Sequence, residues 1–360
     1  MLPVFRDEEC PRDPIRGWRI GICGYGNQGR AQALNLRDSG CDVVVIAAAK
    51  RPSAAQATRD GFALTDPARA ASEVDLIAML APDERHRAII EELAQGTDGT
   101  ERLRAWVFAH GFALIFDEPE WRPEWDVFVV APAGPGAQLR TRYEAGGGIP
   151  ALMAVHRDSS GAASGRARAY AGAIGCARAG VLETTVRDEV EVDLFGEQSV
   201  LCGGMNALTR AAFETLVEAG YAEEMAYLEC VHQLRLTAEL LEQYGVRGMR
   251  GRISGTARFG DLTRGPRVIG PESRAALREI LAEVGDGRFA REWLAARDAG
   301  SVSRPEDGSG DPRADAEGAG SRPEEEIPGS DSRGEPPDLG DEAMERAGER
   351  IRALFRKPEP

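Results

Sequence analysis

The sequence predicts a two-domain protein in which an α/β domain precedes an all-α domain. Three observations lead to this fold class. A strand, a glycine-rich turn, a helix and a second strand follow one another between Trp18 and Ala47. Further apolar segments of strand length alternate with helical segments as far as about Val155. From about Thr184 this pattern stops, and long amphipathic segments at 206–219, 223–244 and 274–284 take its place.

The first strand, residues 18–23, runs directly into a G-x-G-x-x-G turn. The turn consists of Gly24, Tyr25, Gly26, Asn27, Gln28 and Gly29. A helical pattern follows to Ser39, and residues 42–47 form the second strand. In this order the glycines permit a tight turn, a close approach of a pyrophosphate and close helix–strand packing. The helix N-terminus supplies N–H donors to phosphate. We therefore expect a dinucleotide-binding, Rossmann-type domain.

The end of the second strand indicates which cofactor binds. An NAD site would place Asp or Glu there for the ribose hydroxyls. This chain has Lys50, Arg51 and Ser53 instead. Two cations and a hydroxyl suit the 2′-phosphate of NADP, so we expect NADPH. The alternative is an ordinary basic loop.

Further strands are expected at 74–80, 105–109, 126–131 and 151–155. Ligands of open parallel sheets bind beyond the carboxyl ends of the strands. The loops that follow three of these strands carry candidate site residues, and His110 is the candidate hydrogen-bond donor to a substrate or cofactor oxygen. A structural histidine is the alternative. The other candidates in these loops are Asp83, Glu84, Arg85, His86 and Gly136.

Two acidic pairs of positions mark the all-α half. Asp193 and Glu197 would share one face of a helix, and Glu229 with Gln233 repeats the spacing with an amide in second place. Hard oxygen ligands at this spacing suit Mg²⁺ bound beside an oxygen-rich substrate. A solvated acidic helix face is the alternative.

Composition limits the classes of function. With 42% hydrophobic residues the 360-residue chain is expected to fold, and a net charge of −15 argues against nucleic acid or an anionic membrane as partner. No apolar run reaches the roughly 18 residues of a membrane span. The N-terminus lacks a signal-peptide pattern, and six scattered cysteines show no CxxC. We expect reduced thiols and a cytoplasmic location.

These patterns divide the chain into five segments. An N-terminal extension (1–16) precedes the NADP-binding domain (17–181) and the all-α domain (182–297). Residues 298–340 contain twelve Asp and Glu against four Arg, a net charge of −8, amid Pro, Gly and Ser, and are expected to be disordered. Residues 341–357 are expected to form a short tail helix. Its role is open between a docking element and a solubilising extension.

The sequence resembles the short-chain class of ketol-acid reductoisomerases. The resemblance spans roughly residues 17–295. The matching words are GYGNQGRAQALNLRDSG, PDE at 82–84, AHGF at 109–112, GPG at 134–136, DLFGEQSVLCGG, ETLVEAGY, YLECVHQL and GPRVIGP. The resemblance implies an NADPH- and Mg²⁺-dependent enzyme of branched-chain amino-acid synthesis, which shifts an alkyl group in a 2-hydroxy-2-methyl-3-keto acid and then reduces the new ketone. It also implies a knotted helical domain and intertwined homodimers or higher homo-oligomers.

The resemblance also assigns roles to residues. Asp193 matches a carboxylate that bridges two Mg²⁺ ions, Glu197 a ligand of the first ion and Glu229 a ligand near the second. His110 matches the catalytic histidine, and Ser254 a substrate-binding serine. The residues that match cofactor contacts are Tyr25, Gly26, Asn27, Gln28, Ser53, Asp83, Glu84, Arg85, His86 and Gly136.

Several positions with a chemical role in the family carry different residues in this sequence. Ala133 stands where the family has a catalytic lysine, and Gln233 where it has a carboxylate ligand. Gly255 and Arg258 replace an Asn and a Glu near Ser254. The chain's two lysines are Lys50 and Lys357, in the cofactor loop and the tail.

Alkyl migration needs metals and donors to hold developing charge on adjacent oxygens, whereas hydride transfer mainly needs bound NADPH and a polarised C=O or C=N. We therefore expect reduction to survive better than isomerisation. Three functions stay open at this point: an authentic ketol-acid reductoisomerase, a divergent reductase of a related keto acid or imine, and a non-catalytic NADP(H)-binding scaffold.

Overall fold

The structure is a computed structural model that describes residues 2–48, 51–95 and 102–299. Lys50, the tail helix expected at 341–357 and the acidic segment from residue 300 to 340 lie outside the described residues.

A nine-stranded mixed sheet forms the centre of the first domain, with the strands in the order β1-β9-β8-β7-β6-β5-β2-β3-β4. The strands β2 to β7 run parallel to one another, so their carboxyl ends lie at one edge. The nine strands are β1 (Val4–Phe5), β2 (Arg19–Cys23), β3 (Asp42–Ile46), β4 (Ala63–Thr65), β5 (Leu76–Met79), β6 (Ala105–Phe108), β7 (Asp126–Pro132), β8 (Ala151–Arg157) and β9 (Val181–Glu183).

Thirteen α-helices are present in the described residues. In the first domain they are α1 (Asn27–Asp38), α2 (Pro52–Arg59), α3 (Ala70–Glu73), α4 (His86–Gln95), α5 (Gly136–Glu144) and α6 (Ala163–Ala173). After β9 come α7 (Val186–Gly196), α8 (Gly203–Glu218), α9 (Glu223–Tyr227), α10 (Gln233–Arg250), α11 (Gly255–Val268), α12 (Pro271–Gly285) and α13 (Arg288–Asp298).

The two faces of the sheet carry separate apolar cores, because neighbouring residues of a strand point to opposite faces. Val45 lies in the core beneath α1 and α6, whereas Val44 and Ile46 belong to the core on the other face. This second core includes residues of α7, α12 and α13 beside Trp106. Part of the all-α half therefore packs directly against the sheet.

The predicted fold class, a Rossmann domain followed by a helical domain, is confirmed. The sheet is mixed, because β8 runs antiparallel to β7 and β1 runs antiparallel to β9. After α5 the chain returns to the same edge of the sheet, so Ala151 pairs with Pro132. The segment 223–244 is also interrupted, because a π-helical turn (Leu228–His232) separates α9 from α10, which is kinked at Gly245.

The helices α8 to α11 bury few of their own apolar residues. No residue of α8 or α11 is buried, although both carry large apolar side chains. The exposed ones on α8 to α11 include Met205, Leu208, Met225, Tyr227, Leu234, Leu236, Leu241, Tyr244, Phe259, Leu262 and Val268. In the described part of the chain, no helix is long and apolar enough to cross a membrane.

Candidate active site

The glycine-rich turn lies between the end of β2 and the start of α1. Gly24 has φ +96°, and a Cβ there would lie 2.3 Å from the backbone N of Ala81, so only glycine fits. A Cβ at Gly136 would lie 2.1 Å from the carbonyl oxygen of Asn27, whereas Gly26 faces open space. The loop after β7 thus contacts the turn through bare backbone. This cradle fits the pyrophosphate of a dinucleotide at the N-terminus of α1.

Tyr25 is fixed by a carboxylate at the end of α2. Its hydroxyl donates to Asp60 Oδ2 at 2.9 Å, and Arg30 donates to both oxygens of Asp60 at 2.7 and 2.9 Å. The Arg30 guanidinium, together with the amide of Gln56 and the Tyr25 hydroxyl, holds the pKa of Asp60 far below its usual range against the effect of burial. Arg30 is therefore bound to Asp60, and its guanidinium contributes to the position of the turn.

The loop after β3 leads to the N-terminus of α2. Arg51 is the exposed residue that precedes the helix, and Ser53 lies in its first turn. Ala48, at the end of the same loop's first part, is also exposed. Arg51 and Ser53 thus lie at a helix N-terminus, which suits a phosphate group.

The loop after β5 places a short turn, Asp83–Arg85, before α4. His86 begins α4 with a buried ring whose Nε2 lies 2.8 Å from the carbonyl oxygen of Ala81. Its Nδ1 lies 3.5 Å from Asp83 Oδ1. Burial lowers the pKa of His86, which Asp83 counteracts. The buried His86 ring therefore fixes this loop, and Asp83 beside it is more exposed.

His110 follows β6 and meets two carboxylates of α7. Its Nδ1 lies 3.2 Å from Glu189 Oε1 and 3.4 Å from Asp193 Oδ2. Glu189 is buried and also accepts the N–H of Gly111 at 3.0 Å. The Nε2 of His110 is buried without a hydrogen-bond partner among the described residues. One ring nitrogen is thus held, and the other is free to donate to a substrate oxygen.

Burial and the neighbouring charges have opposite effects on the pKa of His110. Burial alone would lower the pKa of His110, but the hydrogen bond and charge of Glu189, with Asp83 and Asp193, raise it to about 9. Partial burial and the neighbouring carboxylates Glu197, Glu189 and Asp83 raise the pKa of Asp193 to about 6, although His110 acts in the opposite direction. The site concentrates negative charge around one imidazole.

Asp193 and Glu197 lie one helical turn apart, as predicted. The backbone N–H of Glu197 donates to the carbonyl oxygen of Asp193, so the turn between them is α-helical. Two carboxylates fit one Mg²⁺ ion that keeps waters or substrate oxygens as its other ligands. Within residues 2–48, 51–95 and 102–299, however, no group of three or more His, Cys, Asp or Glu side chains could hold a metal ion. Among the described residues, Asp193 and Glu197 therefore do not form a complete metal site by themselves.

The other predicted ligands lie elsewhere in the chain. Glu229 is exposed in the π-helical turn before α10, and Gln233 is exposed where α10 begins. Ser254 caps α11, because its Oγ accepts the N–H of Ala257 at 3.1 Å. The structure does not join these three residues to Asp193 and Glu197 in a metal-binding group.

Three π-helical turns flank the candidate residues. They are Ala113–Asp117 after the His110 loop, Glu197–Leu201 and Leu228–His232. Such turns are rare and occur frequently at functional sites, because they redirect side chains within a helix. No pattern in the sequence predicted these turns.

Sequence reasoning missed Glu189, which fixes His110. The signal was present, since Glu189, Asp193 and Glu197 are spaced by four residues and share one face of α7. The matching segment DLFGEQSVLCGG begins only at Asp193. Asp60 was also missed, because nothing in its sequence context connects it to the glycine-rich turn.

Comparisons with known proteins decide the family. A model of the acetohydroxy acid isomeroreductase NADPH-binding domain matches residues 14–180, and one of the ketol-acid reductoisomerase C-terminal domain matches residues 186–308. The chain belongs to the ketol-acid reductoisomerase family. The family assignment makes it an NAD(P)-dependent oxidoreductase, so the reading as a non-catalytic scaffold is set aside.

Solved structures agree with this assignment. The chain is 39% identical to an NADH-preferring ketol-acid reductoisomerase from an uncultured archean, with a TM-score of 0.80 over 84% of this chain and 92% of that one. A semialdehyde dehydrogenase NAD-binding protein from Cupriavidus necator, solved with calcium and NAD, is 18% identical with a TM-score of 0.55 over 74% and 98% of the two chains. The second likeness concerns the fold alone.

Proposed function

We propose that this member of the ketol-acid reductoisomerase family is an NADPH- and Mg²⁺-dependent reductase of a 2-hydroxy-3-keto acid or a related 2-keto acid, in which alkyl migration is the impaired step. Ala133 carries the proposal. It is exposed on the loop between β7 and α5, where the family has a lysine, and the chain's two lysines stand far from it in the sequence, at positions 50 and 357. The methyl group of Ala133 cannot replace an ammonium group.

The residues that reduction requires are present. A bound nicotinamide supplies the hydride, and the oxygen that gains negative charge needs a donor. His110 offers its free Nε2, while Glu189 holds Nδ1 and so fixes the ring. Asp193 and Glu197 would hold Mg²⁺, which polarises the carbonyl group. The reductive half-reaction therefore retains its hydrogen-bond donor and its carboxylates.

NADPH is the cofactor we infer, because the start of α2 offers Arg51 and Ser53 and no carboxylate among the described residues 47, 48 and 51–53. The archaean relative is NADH-preferring, so the two cofactors must be compared directly.

The exposed apolar side of α8 to α11 supports a homodimer. Large exposed apolar surfaces are uncommon on monomeric proteins, and a second copy packed on these helices would cover their exposed apolar side chains. We propose that the neighbour's Glu229, Gln233 and Ser254 complete the site around Asp193. The knotted topology, a cytoplasmic location and a lack of nucleic-acid or membrane partners belong to the same proposal.

Measurement of NADPH consumption tests the proposed reductase function. Purified protein is assayed with acetolactate and with a panel of 2-keto acids and cyclic imines, with and without Mg²⁺. We expect turnover of at least one 2-keto acid, a preference for NADPH over NADH and slow conversion of acetolactate. No oxidation of either cofactor with any substrate would overturn the proposal.

An authentic ketol-acid reductoisomerase is the second candidate, favoured by the intact arrangement of His110, Glu189, Asp193 and Glu197. This candidate would be established if acetolactate were converted to the dihydroxy acid as fast as the 3-hydroxy-3-methyl-2-keto acid, which needs reduction only, is reduced.

A further inference from the structure

A chain of neutral hydrogen bonds runs through the first domain to the loop that carries Ala133. The Tyr170 hydroxyl on α6 donates to Gln32 Oε1 at 2.7 Å, and Gln32 Nε2 donates to Gln28 Oε1 at 3.2 Å. Gln28 Nε2 then donates to the carbonyl oxygen of Gly134 at 2.9 Å. Gln32 and Tyr170 are buried, and both Gln32 and Gln28 lie on α1.

The direction of every bond is fixed from the Gly134 end. A carbonyl oxygen only accepts, so Gln28 must present Nε2 to it and Oε1 to Gln32. Gln32 must then donate with Nε2, which leaves its Oε1 for the Tyr170 hydroxyl. Each group therefore has one orientation, and none of them is charged.

This series of hydrogen bonds ends where two loops of the cofactor cradle meet. Gly136 lies against the backbone of Asn27, and Gln28 binds Gly134 two residues earlier. Two other bonds of this loop do not reach α1: the Ala133 N–H donates to the carbonyl of Pro150, and the Gly134 N–H to that of Pro132, both at 2.8 Å. Gln28 is thus the side chain that joins the loop to α1.

We propose that Gln32 and Tyr170 are positioning residues, which hold the Gln28 amide so that residues 133–136 stay closed against the glycine-rich turn. Neither residue needs to touch cofactor or substrate for this role. The loop is then shaped by Gln28 and backbone contacts, while the side chain at position 133 is free to vary. This inference rests on the reductase function proposed above.

The matched variants are Tyr170→Phe and Tyr143→Phe. Each loses one tyrosine hydroxyl bond in the same domain, since the hydroxyl of Tyr143 lies 2.8 Å from Ser39 Oγ. For Tyr170→Phe we expect amide exchange at Ala133 and Gly134 to become about tenfold faster, and kcat to fall at least about fivefold with the Kd for NADPH changed less than about threefold. Tyr143→Phe should show neither effect.

Gln32 variants give a second, independent measurement. Neutral histidine has one donor and one acceptor, so Gln32→His should keep the exchange rates within about threefold, whereas Gln32→Leu, which has neither, should match or exceed the effect of Tyr170→Phe. Unchanged exchange at Ala133 and Gly134 in Tyr170→Phe, or equal acceleration throughout the domain in both tyrosine variants, would overturn the positioning role. Faster local exchange in a protein without reductase activity would instead contradict the proposed function alone.

Discussion

Glu189→Gln is the most informative single substitution, because it removes one negative charge and keeps the shape of the side chain. Glu189 is buried, faces His110 Nδ1 at 3.2 Å and accepts the Gly111 N–H at 3.0 Å. A hydrogen bond to a charged group contributes about 1.5–3 kcal/mol, and one pKa unit corresponds to about 1.4 kcal/mol. The pKa of His110, which is about 9, should therefore fall by about one to two units.

The free energy of unfolding should depend on pH because of the same interaction between His110 and Glu189. Because the pKa of folded His110 lies above its ordinary value of 6.5, the stabilisation is complete below pH 6.5 and is lost as the pH rises through about 9. The difference between wild type and Glu189→Gln should thus be largest near pH 6 and shrink by about pH 9.5. Denaturant unfolding at the two pH values measures it.

Proton NMR of the metal-free protein tests the pKa directly. The chain has four histidines, and His110→Gln identifies the resonance of His110. Glu191→Gln is the matched control, since Glu191 lies on the same helix but pairs with the exposed Arg187 at 3.1 Å. The reasoning fails if His110 titrates near pH 6.5 in the wild type, or if Glu189→Gln leaves its titration unchanged.

Three further outcomes are expected. Because the pKa of Asp193 is about 6, its protonation competes with the cation, and Mg²⁺ affinity should fall by up to about tenfold per pH unit below pH 6; calorimetry that shows constant affinity between pH 4.5 and 7 would contradict this. Co-expressed Asp193→Asn and Glu229→Gln chains should regain activity that neither variant has alone, because one of the two shared sites in a mixed dimer is intact; no recovery in an isolated mixed dimer would show that each chain builds its own site. Ala133→Lys with Gln233→Glu should raise acetolactate turnover about 100-fold or more, as expected from restored charge stabilisation, and an unchanged rate would mean that the deficit lies elsewhere.

The sequence predicted the elements that have strong periodicity. The strands β2, β3, β5, β6, β7 and β8 coincide with the apolar segments chosen from the pattern, because buried parallel strands are continuously apolar. The strands β1, β4 and β9 have only two or three residues each and carry no pattern of their own. Their pairing is decided by the rest of the sheet.

The site was predictable where chemistry follows a strand and less so where it depends on packing. His110 was found because it follows a central strand, but its partner Glu189 lies 79 residues later and meets it only after α7 packs on the sheet. Glu229 lies in a π-helical turn and Gln233 follows it, so the four-residue spacing does not give the α-helical face that the pattern predicted. Nothing in their order along the chain tells which side chains they meet. Long-range partners need the tertiary structure, and shared sites need the assembly.

The central claim is that the protein retains hydride transfer while its alkyl migration step is impaired. The direct measurement compares NADPH oxidation with two isomeric substrates, the 2-hydroxy-2-methyl-3-keto acid and the 3-hydroxy-3-methyl-2-keto acid that the alkyl shift would produce from it. Loss of one charge-stabilising group costs about 100-fold or more in rate, so the second substrate should be reduced at least about 100-fold faster than the first. Equal rates for the two substrates would contradict the claim.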